Sequence, residues 1–342
     1  MIIEEHVDIK GRTTFNMGGI VAYLITIDNS KDIPSALAFA RARNLPYIIL
    51  GGGSNVIFPD NGTLNRVVIK IVNTGIWTES EDTESVVLNV SAGVSWDDFV
   101  LYTIEHNFSG LEMLSAIPGS VGGTPVQNVG AYGGEVATTI VQVACYDTQE
   151  NTEVVLQKSD CDFSYRDSIF KKQKNRYIIL AVTFKLKKLG DEKPEIPNYP
   201  GVKEYFEKKH IQDPTLMDIR NAIAEIRWAK LPDPRDVASC GSFFKNPIVE
   251  TSVAEKIKEA YPNAVIHDVG DGKSKIGAGW LIDTLGLKGK QFGHLSIYDK
   301  NALVLVNNGG ATKKELTELI GYMQKEVFEK FGVHIEPEPV FV

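Results

Sequence analysis

Cysteine is scarce in this chain: Cys145, Cys161 and Cys240 are the only three in 342 residues, odd in number and far apart. That pattern fits reduced thiols and excludes a disulfide framework or a cysteine-rich zinc site as the basis of the fold. The six histidines show no HExxH and no paired ligand spacing, so no metal is expected. No apolar run approaches the roughly 18 residues that would span a bilayer. The first residues, MIIEEHVDIKGRTT, lack the basic and apolar regions of a signal peptide. A cytoplasmic protein without a membrane partner is therefore expected. Basic runs interleaved with aromatics are missing as well, and the formal net charge is -8, so nucleic acid is not an expected partner.

What remains is an ordinary globular composition, 43% hydrophobic and 23% charged. A length of 342 residues exceeds the usual single core, which predicts two or three domains. Residues 21–27 read as a strand, and DIPSALAFARARN carries Ile33, Ala36, Leu37 and Ala40 at helical spacing. YIILGGGSNVIF reads as strand, glycine loop, strand. Residues 86–91 form a strand and residues 96–106 a helix, with Ser95 as N-cap and Asp98 in the first turn. KLGDEKPEIPNYPG, rich in proline and charge, marks a domain boundary or a long functional loop. Helices are expected near residues 218–230 and 251–260. A closing amphipathic helix has Thr312 and Glu315 at capping-box spacing and an apolar stripe of Leu316, Leu319, Ile320, Met323, Val327 and Phe331. The tail VHIEPEPVFV alternates like an edge strand, His334, Glu336 and Glu338 on one face, Val333 and Ile335 on the other.

Chemistry concentrates in two glycine-dense segments. Gly51, Gly52 and Gly53, followed by Ser54 and Asn55, let main-chain N–H groups converge on an anion, although a plain turn between strands has the same composition. In the second, Gly119, Gly122, Gly123, Gly130, Gly133 and Gly134 surround Ser120, Thr124, Gln127 and Asn128. Such backbone donors and small polar side chains suit a large nucleotide cofactor. Neither spells GxGxxG between a strand and a helix, so a nicotinamide Rossmann domain is excluded. GDGKS at residues 270–274 has His267 where a Walker motif needs glycine. FSYRDSIFK places Arg166 between Tyr165 and Asp167, either as a structural ion pair with Asp167 or facing a carboxylate or developing enolate. In SCGSFFKNP, Ser242 lacks the GxSxG context of a hydrolase nucleophile, and Cys240 lacks a histidine partner and reads as a packed residue. A held serine hydroxyl can instead donate a proton to a carbanion.

TTF, GGGSN, IPGSVGGTPVQNVGAYG, YRDSIFK, KLPDP, GSFFKNP, GAGWLID and EPEPVF occur in an order that resembles the UDP-N-acetylenolpyruvoylglucosamine reductases, in the subgroup with a substrate-closing tyrosine loop. The resemblance spans nearly the whole chain. It implies an α+β fold: a two-part FAD-binding module of the vanillyl-alcohol-oxidase/PCMH type and a C-terminal α+β substrate domain. The implied boundaries are 1–72 for the first FAD-binding subdomain, with the tail 332–342 returning near the active site, then 73–215 for the second and 216–331 for the substrate domain.

The resemblance also implies noncovalent FAD, NADPH as electron donor, UDP-N-acetylglucosamine enolpyruvate as substrate and UDP-N-acetylmuramate as product, for peptidoglycan synthesis, by a monomer. Another FAD-dependent sugar or hydroxy-acid oxidoreductase, or a nonenzymatic nucleotide-binding protein, would share the scaffold. By motif matching Ser242 is the proton donor, and Arg166 and Glu338 stabilise the enolic intermediate, with Glu336 as the alternative to Glu338. Gly51, Gly52, Gly53, Ser54, Asn55, Gly119, Ser120, Gly122, Gly123, Gln127, Asn128 and Gly130 are the implied FAD contacts. Tyr165, Tyr199, Lys230 and Asn246 are the implied substrate contacts, with Tyr205 as the alternative to Tyr199.

Overall fold

The structure, a computed structural model, describes residues 1–60 and 62–342. It divides into two compact units, the first comprising Met1–Val7, Val21–Gly53 and Thr63–Trp228, the second Asp8–Ile20, Ser54–Gly62 and Ala229–Val342.

In the first unit the strands Ile2–Asp8, Ile20–Ile27, Thr63–Ile71 and Tyr47–Leu50 lie side by side in that order. Tyr47–Leu50 runs parallel to its neighbour, Tyr47 opposite Val67 and Leu50 opposite Lys70. Helix α1 (Ile33–Ala42) joins Ile20–Ile27 to Tyr47–Leu50 in the chain. Ile33, Ala36, Leu37 and Ala40 face inward, as their spacing predicts, and join Ile25, Ile27, Val67 and Ile69 in the core.

A larger antiparallel sheet follows, in the order Thr152–Gln157, Ile140–Asp147, Tyr177–Lys188, Ser85–Ser91, Ile76–Glu81. Along Tyr177–Lys188 the alternate residues Ile178, Leu180, Val182, Phe184 and Leu186 are buried. Helix α2 (Trp96–Glu105) sets Trp96 and Phe99 against Phe184, ring centroids 6.1 and 5.0 Å away. Ser95 holds the N-cap position but makes no side-chain capping bond. The helix start is tied instead by Trp96 N–H to the Gly119 carbonyl at 3.1 Å. After the one-turn helix α3 (Ile169–Lys172), α4 (Pro200–Lys209) and α5 (Leu216–Lys230) pair through Val202, Phe206, Ile219, Ala222 and Ile223, with Met113 and Tyr132 packed against this small core.

In the second unit the strands Ser239–Ser242, Val304–Asn307, Leu295–Ile297 and Gln291–Phe292 form one sheet, and Ile248–Glu250, Lys273–Ile276 and Ile266–Gly270 another. The GDGKS segment is thus a hairpin tip, with Asp271 and Gly272 at φ 52° and 69°. Helices α6 (Thr251–Ala260), α7 (Ala278–Thr284) and α8 (Lys313–Phe331) cover the core, and all six residues of the α8 stripe are buried. The tail is strand only at Val340–Phe341, paired in parallel with Val56 and Ile57. Pro337 and Pro339 lack the N–H a longer ladder needs. The side chains alternate all the same: Val333 and Ile335 are buried, His334 and Glu336 exposed.

The division differs from the sequence boundaries 1–72, 73–215 and 216–331. Helix α5 stays with the first unit because its apolar face is spent on α4. Residues 54–62 join the second because Asn55 and Ile57 accept the N–H groups of Val340 and Val342. The proline-rich stretch 188–201 leads into α4 within the first unit, and the change of unit comes between Trp228 and Ala229. Among the described residues no helix is long and apolar enough to cross a membrane.

The start of α8 is a reciprocal cap. Thr312 Oγ1 accepts the Glu315 N–H at 3.2 Å, Glu315 Oε2 accepts the Thr312 N–H at 2.9 Å, and Glu315 Oε1 lies 2.9 Å from His294 Nδ1. These bonds, the Thr312 N–H first, draw the Glu315 carboxyl down to about 2. A depressed carboxyl contributes stability above its unfolded value near 4.5, and that contribution is lost as pH falls toward 2. Thr312→Ala should lower stability in urea denaturation by about 1 kcal/mol. Melting temperature should fall less steeply between pH 4.5 and 2 in Glu315→Gln than in the parent.

Candidate functional site

The two glycine segments meet in the first unit. A Cβ on Gly52 would lie 2.6 Å from Gly119 Cα and 2.8 Å from its carbonyl carbon, and one on Gly51 would lie 2.6 Å from Ser120 Oγ. Gly53 and Gly119 adopt φ 70° and 140°, which side chains resist. One layer further back, a Cβ on Gly122 would strike the Ala92 Cβ at 2.6 Å. Gly123 meets no such crowding and simply continues the short turn Val121–Gly123. Among the described residues, no protein acceptor takes the N–H groups of Gly52, Gly53 or Ser120. Bare backbone with several N–H donors left over is what a nucleotide diphosphate requires, so these residues fit such a group.

The rest of the second segment folds on itself. Gly130–Ala131 and Gly134–Glu135 form a hairpin whose two tip residues, Tyr132 and Gly133, both have positive φ, 53° and 89°. Asn128 is buried and its amide is spent on the protein. Its Oδ1 accepts the Ala137 N–H at 3.1 Å, and its Nδ2 donates to Glu135 at 3.1 Å and to the Ser164 carbonyl at 3.2 Å. It braces the segment with these bonds. Gln127, next to it, is half-buried.

Arg166 is brought to this hairpin. Ser164 and Asp167 exchange N–H to carbonyl bonds of 3.1 Å around Tyr165 and Arg166, and Arg166 takes φ 56°. Its guanidinium donates to the Gly130 carbonyl at 2.8 Å and lies 5.4 Å from the Tyr165 ring centre. The Asp167 carboxylate turns toward the Ser168 N–H at 3.0 Å and Lys172 at 3.5 Å. Tyr199, at the start of α4, meets Tyr132 edge-on at 5.1 Å, while Tyr205 packs on Phe206 of its own helix.

In the second unit, strand Ser239–Ser242 carries a bulge: its register against Val304–Asn307 shifts between Ser239 and Ser242, with Gly241 at φ 70°. The glycine of SCGSFF lets the strand re-aim Ser242. Directly after it, Phe243 accepts the Glu338 N–H at 2.8 Å, and Lys245 donates to the Glu336 carbonyl at 2.9 Å. Ser242 and Glu338 therefore sit on two bonded segments. Glu336 points outward and pairs with Lys245 at 3.4 Å, whereas Glu338 is half-buried. Burial, and after it the nearby Glu338 charge, pushes the Cys240 thiol up, so it stays protonated and unreactive. Asn246 Oδ1 accepts the Ala278 N–H at the start of α7 at 2.9 Å. Lys230 is exposed at the end of α5. Ser54 and Asn55 also belong here: Ser54 accepts the Thr14 hydroxyl at 3.4 Å, and Asn55 Nδ2 reaches the Glu338 carbonyl at 3.5 Å.

Sequence reasoning passed over four residues at this site. Asp97, not Asp98, is the bonded acid of the first turn of α2, accepting the Ala116 N–H at 2.6 Å and a two-pronged Arg220 at 2.6 and 2.7 Å. Burial pulls its carboxyl up, but the Arg220 and Ala116 bonds outweigh that and leave it below the ordinary value. Tyr132 packs against the small core of α4 and α5, and Arg227 of α5 has its Nε buried without an acceptor among the described residues. The tyrosine inside GAYGG was the available signal for this group.

Residues 21–157 match the family model described as FAD binding domain, and residues 233–342 the model described as UDP-N-acetylenolpyruvoylglucosamine reductase, C-terminal domain. The cradle and these matches define a flavoprotein oxidoreductase with FAD as its cofactor, an α+β protein with an FAD-binding domain and a C-terminal α+β domain. The UDP-N-acetylenolpyruvoylglucosamine reductases of Pseudomonas aeruginosa and Flavobacterium johnsoniae are each 38% identical to the chain, over 98% and 99% of both partners. The chain belongs to this reductase family. Crystalline UDP-N-acetylenolpyruvylglucosamine reductase from Thermus caldophilus, 24% identical, shares the fold with a TM-score of 0.67 over 100% of this chain and 99% of its own.

Gly52→Ala forces a methyl into the Gly119 backbone, a clash that costs about 1–3 kcal/mol. Apoprotein carrying it should bind FAD roughly tenfold to a hundredfold more weakly in a fluorescence-quenching titration. Gly321→Ala, on α8 with nothing near its Cβ, should bind FAD as the parent does.

Proposed function

We propose that the protein reduces UDP-N-acetylglucosamine enolpyruvate to UDP-N-acetylmuramate with electrons from NADPH, in the cytoplasm, as a monomer serving peptidoglycan precursor synthesis with no nucleic-acid or membrane partner. The observation that carries this reading is the pairing of Ser242 and Glu338 on two bonded segments, within a chain whose whole length matches the reductase family.

Bound FAD would supply the hydride, drawn from NADPH, that adds to C3 of the enolpyruvyl group. Gly51, Gly52, Gly53, Ser54, Asn55, Gly119, Ser120, Gly122, Gly123, Gln127, Asn128 and Gly130 form or brace its cradle, the crowded glycines by letting backbone approach backbone. Addition at C3 leaves negative charge on C2 and the adjoining carboxylate. The Arg166 guanidinium, anchored by the Gly130 carbonyl, stabilises that charge, and Glu338 completes the enolate environment. Ser242 donates the proton to C2. A hydroxyl needs no lowered pKa for this step, because the carbanion is a far stronger base, but it must be aimed, which is the service of the Gly241 bulge.

Tyr165, Tyr199, Lys230 and Asn246 bind the substrate. Lys230 offers a cation for the diphosphate, and Asn246 is held in place by its bond to Ala278. The Tyr199 contact with Tyr132 of the cofactor segment favours it over Tyr205 as the loop tyrosine. Its exposed charge and outward pairing with Lys245 make Glu336 the poorer catalytic choice.

Stopped-flow absorbance of Ser242→Ala separates the two halves of the reaction. NADPH should bleach the flavin at the parent rate, while reoxidation by the enolpyruvyl substrate should slow about 10²–10⁴-fold. Equal slowing of both halves would assign the serine to structure. Parent holoenzyme that shows no substrate-dependent NADPH oxidation would overturn the reading.

A further inference from the structure

The first turn of α2 grips the segment leading into the Gly119 and Ser120 turn at three points. Trp96 Nε1 donates to the Leu114 carbonyl at 2.9 Å, Asp97 Oδ1 accepts the Ala116 N–H at 2.6 Å, and the Trp96 N–H donates to the Gly119 carbonyl at 3.1 Å. The middle grip lies on a strained residue. Ala116 is at φ 59°, a left-handed conformation that its Cβ opposes, and it is almost fully buried. Only Ile117 and Pro118 separate it from Gly119, and the proline ring fixes its own φ. The backbone direction at Ala116 therefore sets where Gly119 arrives against Gly52.

The same carboxylate is held from the other side. Arg220 of α5 donates through both terminal nitrogens, at 2.6 Å to Oδ1 and 2.7 Å to Oδ2, and its side chain is mostly buried. This planar fork admits one carboxylate orientation, the one that leaves Oδ1 on the Ala116 N–H. Tyr132, at the tip of the hairpin that begins with Gly130, packs against the small core that α4 and α5 share. Helix α5 thus bears on both ends of the second glycine segment, through Arg220 and Asp97 at one and through apolar packing at the other.

We propose that Asp97 is a positioning residue for the cofactor: it holds Ala116 in its strained conformation and so sets the Gly119 and Ser120 turn, with its own orientation fixed by Arg220. Through this carboxylate the α4 and α5 pair, which carries Tyr199, is coupled to the flavin cradle. The inference rests on the FAD-cradle part of the functional reading and is independent of the enolpyruvyl chemistry.

The test is FAD titration of apoprotein by flavin-fluorescence quenching, beside thermal melting of the same apoproteins. Asp97→Ala should raise the FAD Kd about tenfold or more, the consequence of losing a charge-assisted bond that orients the site. Arg220→Met, which leaves the Ala116 bond possible but unguided, should weaken binding less. The double variant should be no worse than Asp97→Ala, because Arg220 acts through Asp97. Asp97→Asn, which keeps an acceptor for Ala116, should recover most of the affinity. Thr312→Ala, destabilised in the other unit, should leave FAD affinity unchanged and so separates positioning from general loss of stability.

An FAD Kd for Asp97→Ala within about twofold of the parent, or single-variant effects that multiply in the double variant, would overturn the proposal. If Asp97→Ala does not fold, Asp97→Asn paired with Arg220→Met puts the same question, and multiplying effects again sink it. FAD affinity is read without substrate. A parent holoenzyme inactive on the enolpyruvyl sugar would therefore refute the proposed reaction while leaving this result standing.

Discussion

The constraint on which the site depends is steric: at Gly52 the chain passes so near the Gly119 backbone that no side-chain carbon fits, with a virtual Cβ 2.6 Å from Gly119 Cα, and at Gly51 the virtual Cβ lies 2.6 Å from the Ser120 hydroxyl. Real carbon contacts of that length do not occur, so the identity of Gly52 follows from the path of the backbone. The consequence is chemical as well as geometric. Two loops without side chains leave N–H groups to face a ligand, and the buried ones, at Gly53 and Ser120, demand an acceptor. A diphosphate satisfies several at once. The cradle is therefore an arrangement that is complete only with its cofactor, and the surrounding scaffold supplies the rigidity that keeps it from collapsing on itself.

That rigidity comes from polar groups with no freedom left. Asn128 uses its oxygen and nitrogen on three protein partners, and Asp97 uses its two oxygens on Ala116 and Arg220. Both are charged or polar groups in places where an unmet bond would be costly: Asn128 meets that demand with Ala137, Glu135 and Ser164, and Asp97 with the Ala116 N–H and the Arg220 guanidinium. Arg166 follows the same logic from another element, its guanidinium set on the Gly130 carbonyl and its backbone in a left-handed turn. Two other pieces of chain, carrying Asp97 and Arg166, and the segment's own Asn128 thus fix one loop.

Much of this was legible in the sequence, and the boundary between what was and what was not is physical. Periodicity exposed α1 and α8 because their buried residues repeat every three or four positions and each helix has one apolar face. The capping box at Thr312 and Glu315 was legible because it is local, four residues long. Glycine density announced the cradle. By contrast, the grip of Asp97 on Ala116 and Arg220 joins residues 19 and 123 positions apart, and nothing local distinguishes Asp97 from Asp98. The placement of α5 with the first unit was hidden for a related reason: the sequence shows an apolar face but not which neighbour it meets. Ser95 holds the N-cap position its place in the sequence predicts, but it makes no side-chain bond there, and the Trp96 N–H is tied to the Gly119 carbonyl instead.

The choice between Ser242 and Cys240 turns on the same contrast between local and distant information. Side by side in SCGS, the thiol is the better nucleophile by intrinsic chemistry. The fold reverses that ranking: burial and the Glu338 charge keep Cys240 protonated, while the left-handed Gly241 breaks the strand register and re-aims the residue after it. A negative charge that suppresses a thiolate does not hinder a hydroxyl that gives its proton away, since the hydroxyl need never ionise before its acceptor exists. Burial and the Glu338 charge thus silence the cysteine, so a thiol is tolerated two residues from the serine proposed as proton donor.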